Sequence, residues 1–292
     1  MLGVSLVTAD DWILRYFASG GAGDITRLNY AKRLFAVPIA VLGQATGQAS
    51  LPFFARLFGE KRLREFAATV NDSVYRVSAA SFLAAAWMIP AALPLVDLVY
   101  RRGRFHFSDS RETAVFFLIF SASLAFWAAQ GLYSRAFYAA GDTLTPMIAC
   151  TVVTVASIPL YSWLFHRYNV IGLAVASDVG ILANTIVPML LLHSKGLVGA
   201  GEMRWRELGK AVAISIVAAA ASYGIASRFV VNGSRRADFM VLALVSITWA
   251  VVVALGLWIT RSELPDALRR RKPVIAAPEP TLETETRELQ KP

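Results

Sequence analysis

Thr26, Asn29, Arg33, Gln44 and Gln48 are separated by three, four, eleven and four residues. Each step is close to a whole number of α-helical turns, so the spacing predicts one polar face on a single helix. A guanidinium beside a hydroxyl and three amides is donor-rich, and a guanidinium offers an anion a permanent, bidentate partner. The helix that must carry this face is otherwise apolar. Leu34 to Ala55 holds no charged residue, and about 22 residues at 1.5 Å each span roughly 33 Å, enough to cross a hydrocarbon core. A lane of small residues, Ala36, Ala40, Gly43 and Gly47, runs beside the polar face and predicts close helix packing. The residues alone leave two readings of Lys32 and Arg33 open. Both can snorkel to lipid headgroups, or Arg33, about nine residues and roughly 14 Å beyond a cap at Asp24, can line a wet interior, because a charge facing lipid there would cost on the order of 3 kcal/mol.

Composition places the whole chain in a bilayer. Of 292 residues 56% are hydrophobic and 17% charged, with a mean hydropathy of +0.52, far from an ordinary soluble domain. About eight apolar segments are expected, near 2–18, 34–55, 77–99, 113–134, 144–165, 169–193, 211–230 and 239–260. The fold class that follows is an all-α polytopic membrane protein. Two segments carry buried-type charge: the first holds Asp10, Asp11 and Arg15, and the sixth holds Asp178. Asp11 can pair with Arg15 one turn along, which leaves Asp10 without a local partner. For Asp178 two readings stand, a satisfied polar residue between helices and an ion or substrate ligand. Pro38, Pro52, Pro90, Pro94 and Pro188 predict bent helices of the kind that surround midplane sites.

Several functions are disfavoured. The lone Cys150 gives no disulfide framework and no thiolate metal set, and His106, His166 and His193 show no ligand spacing. No nucleophile and base arrangement and no phosphate-binding glycine loop is present, so neither catalytic nor metal residues are expected. The formal charge of +9 is spread over short loops, which fits membrane phosphates better than nucleic acid. An even number of spans puts both ends on one side, and Arg269 to Lys272 after the last span favour the cytoplasm. Beyond Arg261 the Pro, Glu and Thr-rich sequence predicts a disordered cytoplasmic tail over 262–292.

Three ordered motifs carry a family resemblance: GDITRLNYAKRLFAVPIAVLGQATGQASLPFFARL from Gly23, then LVYRRGRFHFSDS, then YSRAFYAAGDTLTP. Together they resemble the second half of the bacterial lipid II flippase family called MurJ or MviN, within the multidrug/oligosaccharidyl-lipid/polysaccharide exporter superfamily. The resemblance implies a six-helix second lobe over 1–195, an appended helix pair over 196–261 that forms a lipid-tail groove, and a first lobe that is missing or separately encoded. It implies an inner-membrane transporter, not an enzyme, moving an undecaprenyl-pyrophosphate-linked peptidoglycan precursor by alternating access. Arg33 matches the family's pyrophosphate-holding arginine, with Asn29, Thr26 and Gln44 as further substrate-binding candidates. Asp10 matches an acidic position that helps some members bind sodium, and Asp178 and Asn184 fall where members carry polar residues. The asparagine expected on the fifth span is replaced in the SIPLYSW region. Sodium or proton coupling is therefore an expectation from the resemblance, and no other cofactor is implied. Alternatives are export of another lipid-linked saccharide or a small cation, a non-transporting membrane scaffold or inactive fragment, and a membrane glycosyltransferase.

Overall fold

Inside a bilayer every backbone N–H and C=O must find its partner within the chain, and helices satisfy that requirement segment by segment. A computed structural model describes residues 16, 22–199, 201, 203–229 and 234–265. Apart from residue 16, the expected first span at 2–18, with Asp10, lies outside those residues, as does the tail beyond residue 265. The described elements are α1 (Ala22–Pro38), a π-helical segment (Ile39–Ala45), α2 (Thr46–Gly59), α3 (Leu63–Tyr100), α4 (Phe107–Ala122), α5 (Leu124–Ala139), α6 (Leu144–Ser194), α7 (Trp205–Ala226) and α8 (Arg235–Ile259). Five helical runs are long and apolar enough to cross a membrane, and the bent α4 and α5 pair makes a sixth.

Three departures from straight helices shape the bundle, and each has a local cause. Pro38 has no N–H to give the Leu34 carbonyl, and the helix widens directly after it into the π segment. The expected 113–134 span is bent by 45° between α4 and α5. There the Ser121 and Ser123 hydroxyls donate to the Phe117 and Phe120 carbonyls at 2.6 and 2.9 Å, competing with the helical ladder. The 51-residue α6 breaks at Asn169, whose φ of 51° and ψ of −137° are not helical. Its two halves, 144–168 and 170–194, run back along each other, since Lys195 at the far end returns to bond Asp142 and Thr145 Oγ1 at the start, the latter at 2.8 Å.

Lys195 and Thr145 together hold the Asp142 carboxyl at about 2, below its ordinary 3.8. A depressed carboxylate contributes stability above its unfolded value and loses it as pH falls through the folded one, here between about 4 and 2. Lys195→Met is therefore expected to shrink the acid-side decline of Tm in that window. Thermal scans from about pH 5 to about pH 2 check this; an acid profile identical to wild type would contradict it.

α3 forms the centre and packs against α4, α5, α7 and α8. α7 and α8 lie against each other so closely that a Cβ on Gly256 would stand 2.9 Å from Ile214 Cγ2. The indole N–H groups of Trp87 and Trp249 tie α3 to α8, donating to Ser246 Oγ at 2.9 Å and to the Leu83 carbonyl at 2.8 Å. Leu264, in the stretch expected to begin the tail, is buried beside Ala211 and Tyr75, and Arg204 pairs with Glu263 at 2.8 Å. Residues 262–264 thus pack on the bundle, held by a buried leucine and an acidic partner for Arg204.

Candidate functional site: the uncovered face of the α1, π and α2 helix

The helix from residue 22 to 59 buries Leu28, Ala31 and Phe35, then Gly43, Gly47, Phe54 and Leu57. Eight residues separate Phe35 from Gly43, where two α-turns would hold about seven. The π segment absorbs the extra residue and turns the later positions relative to the earlier ones. This corrects the expected small-residue lane: Ala36 and Ala40 are exposed, while Gly43 and Gly47 do pack. A Cβ on Gly43 would lie 3.4 Å from Ala128 Cα, so the α5 backbone comes as near as glycine permits.

The opposite side of this helix is covered by no other described element. One uninterrupted exposed stripe runs through Arg33, Val37, Val41, Gln44 and Gln48 in steps of three or four residues. Thr26 is also exposed, whereas Asn29 is half-buried. The stripe is mixed, with valine and alanine between the polar positions, so the helix offers isolated donors on an apolar ground. Arg33 makes no ion pair among the described residues. It lies one turn past Tyr30, whose carbonyl accepts from Tyr100 Oη at 3.1 Å, which puts it in the half of the bundle nearest the C-terminal end of α3. Lys32 turns the other way, its Nζ 5.9 Å from the centre of the Phe120 ring. Nearby, Arg27 grips α4 through Asp109 at 2.8 Å and Glu112 at 2.7 Å. Asp109 also accepts from the His106 backbone N–H at 2.9 Å.

A second guanidinium belongs to this helix's environment, and sequence reasoning passed over it. Arg135 on α5 lies across Gly47, so that a Cβ there would fall 2.4 Å from its Nη1. It donates to the Gly131 carbonyl of its own helix at 2.8 Å, and it has no ion pair among the described residues. The signal was present, an arginine inside YSRAFYAAGDTLTP at the end of an apolar span, but its approach to Gly47 is long-range and no spacing rule gives it. Replacing Arg135 by alanine should leave Tm nearly unchanged, since its hydrogen bond stays within its own helix and ties it to no second described element. A loss of Tm beyond a few degrees in detergent would make Arg135 a structural residue instead.

The ion-binding candidates separate. Ser177 and Asn184 on the second half of α6 join Thr154, Ser157 and Tyr161 on the first, with Trp127 of α5, around a cavity of about 20 Å³, room for one water-sized particle. Asn184 donates to the Gly180 carbonyl at 3.2 Å, while its Oδ1 is buried with no hydrogen-bond partner. Asp178 is half-buried beside this cavity and is not among its lining residues. Asp10 lies outside the described residues. Hydroxyl and amide oxygens line most of this cavity, and Asn184 Oδ1 is the buried oxygen there left without a donor.

An all-helical, multi-pass membrane protein with a bent-helix bundle and one bare, donor-bearing helix face is the class these features define. The family profile described as Lipid II flippase MurJ matches residues 1–245. Relatives named probable lipid II flippase MurJ include one from Bdellovibrio bacteriovorus, 26% identical over 201 residues, and one from Rhizobium tropici, 28% identical over 213. These alignments cover 68% and 71% of this chain and 38% of each relative, so the matched stretch is well under half of either relative's length. A solved structure described as lipid II flippase MurJ in an inward closed conformation superposes with a TM-score of 0.67 at 18% identity, covering 88% of this chain and 51% of that one. The chain belongs to the MurJ family, a transporter family of the bacterial inner membrane.

Proposed function

We propose that this chain supplies the second lobe and appended helix pair of a lipid II flippase, with both ends in the cytoplasm and a first lobe facing its bare helix. The observation that carries this reading is the uncovered stripe bearing Arg33, Gln44 and Gln48. A charged residue on a face that the described helices leave open needs either water or a partner. A second lobe opposite would enclose that stripe as the wall of a cavity. Arg33 then meets the diphosphate of the lipid-linked precursor as a bidentate donor, Thr26, Asn29 and Gln44 add neutral hydrogen bonds, and the polyprenyl tail stays in lipid. Rocking of the two lobes moves the headgroup without making or breaking a bond. The cavity between the halves of α6 supports coupling to a sodium ion held by Ser157, Ser177, Thr154 and Asn184 oxygens.

The test is binding by the purified full chain in nanodiscs. Lipid II should compete effectively against phosphatidylglycerol, and undecaprenyl phosphate, with one phosphate fewer, should bind more weakly. No preference of lipid II over phosphatidylglycerol would sink the reading. A preference for a different lipid-linked saccharide of equal chain length would redirect it to another exported lipid.

A further inference from the structure

Off the stripe, two carboxylates from different parts of the chain are both buried. Asp97, in the last turn of α3, is 2% exposed, and Asp238, in the first turn of α8, is 0% exposed. The antiparallel register of α3 and α8, set by Leu83 with Trp249, Trp87 with Ser246 and Ala91 with Val241, brings the two buried carboxylates to the same level of the bundle. Their surroundings are unequal. Asp97 Oδ1 accepts from Ser110 Oγ of α4 at 2.6 Å, and Asp97 pairs with Arg101 at 3.4 Å. Asp238 has neither, and both of its oxygens, with Asp97 Oδ2, are buried without a hydrogen-bond donor. Arg101 Nε approaches Asp97 Oδ2 only at 3.4 Å, so these three acceptors hold no hydrogen bond among them and describe a site that lacks a hydrogen.

We propose that Asp97 and Asp238 form a proton-binding site, in which one proton carried by Asp238 and donated to Asp97 holds the α7 and α8 pair onto the bundle. With that proton in place the buried group is neutral: one carboxylate at Asp97, one guanidinium at Arg101, one carboxylic acid at Asp238. The proton gives Asp97 Oδ2 its donor and turns a repulsion into a hydrogen bond between α3 and α8. Loss of the proton to water leaves two carboxylates against one guanidinium, a net charge of −1 in a site closed to solvent. The other charges nearby do not supply the missing counterion. Arg235 and Arg236 on the first turn of α8, Arg228 past the end of α7 and Arg111 on α4 are exposed, and Asp109 and Glu112 of α4 are engaged by Arg27. Beyond the carboxyl pair, the N-terminal half of α8 is held mainly by Val241 and Val245 against Ala91. Deprotonation therefore acts where α8 is least secured, and it frees that end of α8 from α3. This inference rests on the docking of α8 and not on the lipid II reading.

Two measurements on the full chain in nanodiscs test it. Infrared difference spectra across a pH titration should show a protonated-carboxyl stretching band that disappears as pH rises and is absent from Asp238→Asn. With Cys150 replaced by serine and spin labels at the exposed Val99 and Phe239, the interlabel distance should lengthen as the band is lost. In Asp238→Asn, whose amide keeps a donor toward Asp97 at every pH, the distance should stay short throughout. A missing band in wild type overturns the proposal, as does a pH-dependent lengthening that persists in Asp238→Asn. If Asp238→Asn fails to fold, Asp97→Asn serves in its place. There Asp238 ionises against Arg101, so the band should be lost while the distance stays short, and a retained band would overturn the proposal.

Discussion

Arg33→Ala is expected to weaken lipid II binding by roughly ten- to hundred-fold while leaving Tm within a degree or two of wild type, where the size follows from about 1.5–3 kcal/mol for a hydrogen-bonded charge. The separation of the two effects comes from the geometry. Arg33 is exposed and makes no ion pair among the described residues, so its removal leaves no buried charge orphaned and no packing void. What is lost is the only fixed positive charge on the uncovered stripe. Arg33→Lys should recover little, because an ammonium gives a diphosphate a point charge in place of two parallel donors. Lys32→Ala makes the contrast. Its ammonium lies over Phe120, off the stripe, so that variant should lose a little stability and little binding. Equal loss of binding from Lys32→Ala and Arg33→Ala would mean that both cations act only through general attraction to anionic lipid, and the cavity reading would fail. Isothermal titration or microscale thermophoresis in nanodiscs at two salt concentrations measures the difference.

Much of the bundle was legible because bilayer helices announce themselves by length and lack of charge. The boundary placed between 165 and 169 was readable from the polar His166, Arg167, Tyr168 and Asn169, and the backbone does break at Asn169. What the sequence hid was of two kinds. The first is local but aperiodic: a 3.6-residue pattern cannot register a π segment, so Pro38 signalled a disturbance without saying that the buried stripe would slip by one residue. Ala36 and Ala40 were misplaced for that reason. The second is long-range. Arg135 meets Gly47, and Asp97 meets Asp238, only once the helices are packed, and neither pair shares an element whose periodicity would link them. Asn184 was reached through a family resemblance, while its cavity partners Ser157 and Tyr161 were missed, since small polar residues in an apolar run read as helix packing until their neighbours are known.

The packing that builds this cavity yields the other large effect. Gly172→Ala should destabilise the chain by about 3 kcal/mol or more, at the upper end of what overpacking costs, because a Cβ at residue 172 would stand 2.1 Å from the Leu164 carbonyl oxygen and 2.5 Å from its carbon. Those are backbone atoms of the facing half of α6, which cannot swing aside as a side chain can. The hairpin must open at its tightest point, and opening it draws Tyr161 and Ser157 away from Ser177 and Asn184. Gly180→Ala is the matched control on the same half-helix, since its Cβ would meet Tyr161 Oη at an ordinary 3.6 Å. The expected result is a Tm lowered by several degrees for Gly172→Ala and nearly unchanged for Gly180→Ala in detergent. If both glycines tolerate alanine equally, the two halves of α6 are not in contact at the turn, and the cavity they enclose does not exist as described. If both are equally damaging, the limit is helix flexibility along 170–194 and not close approach at its start.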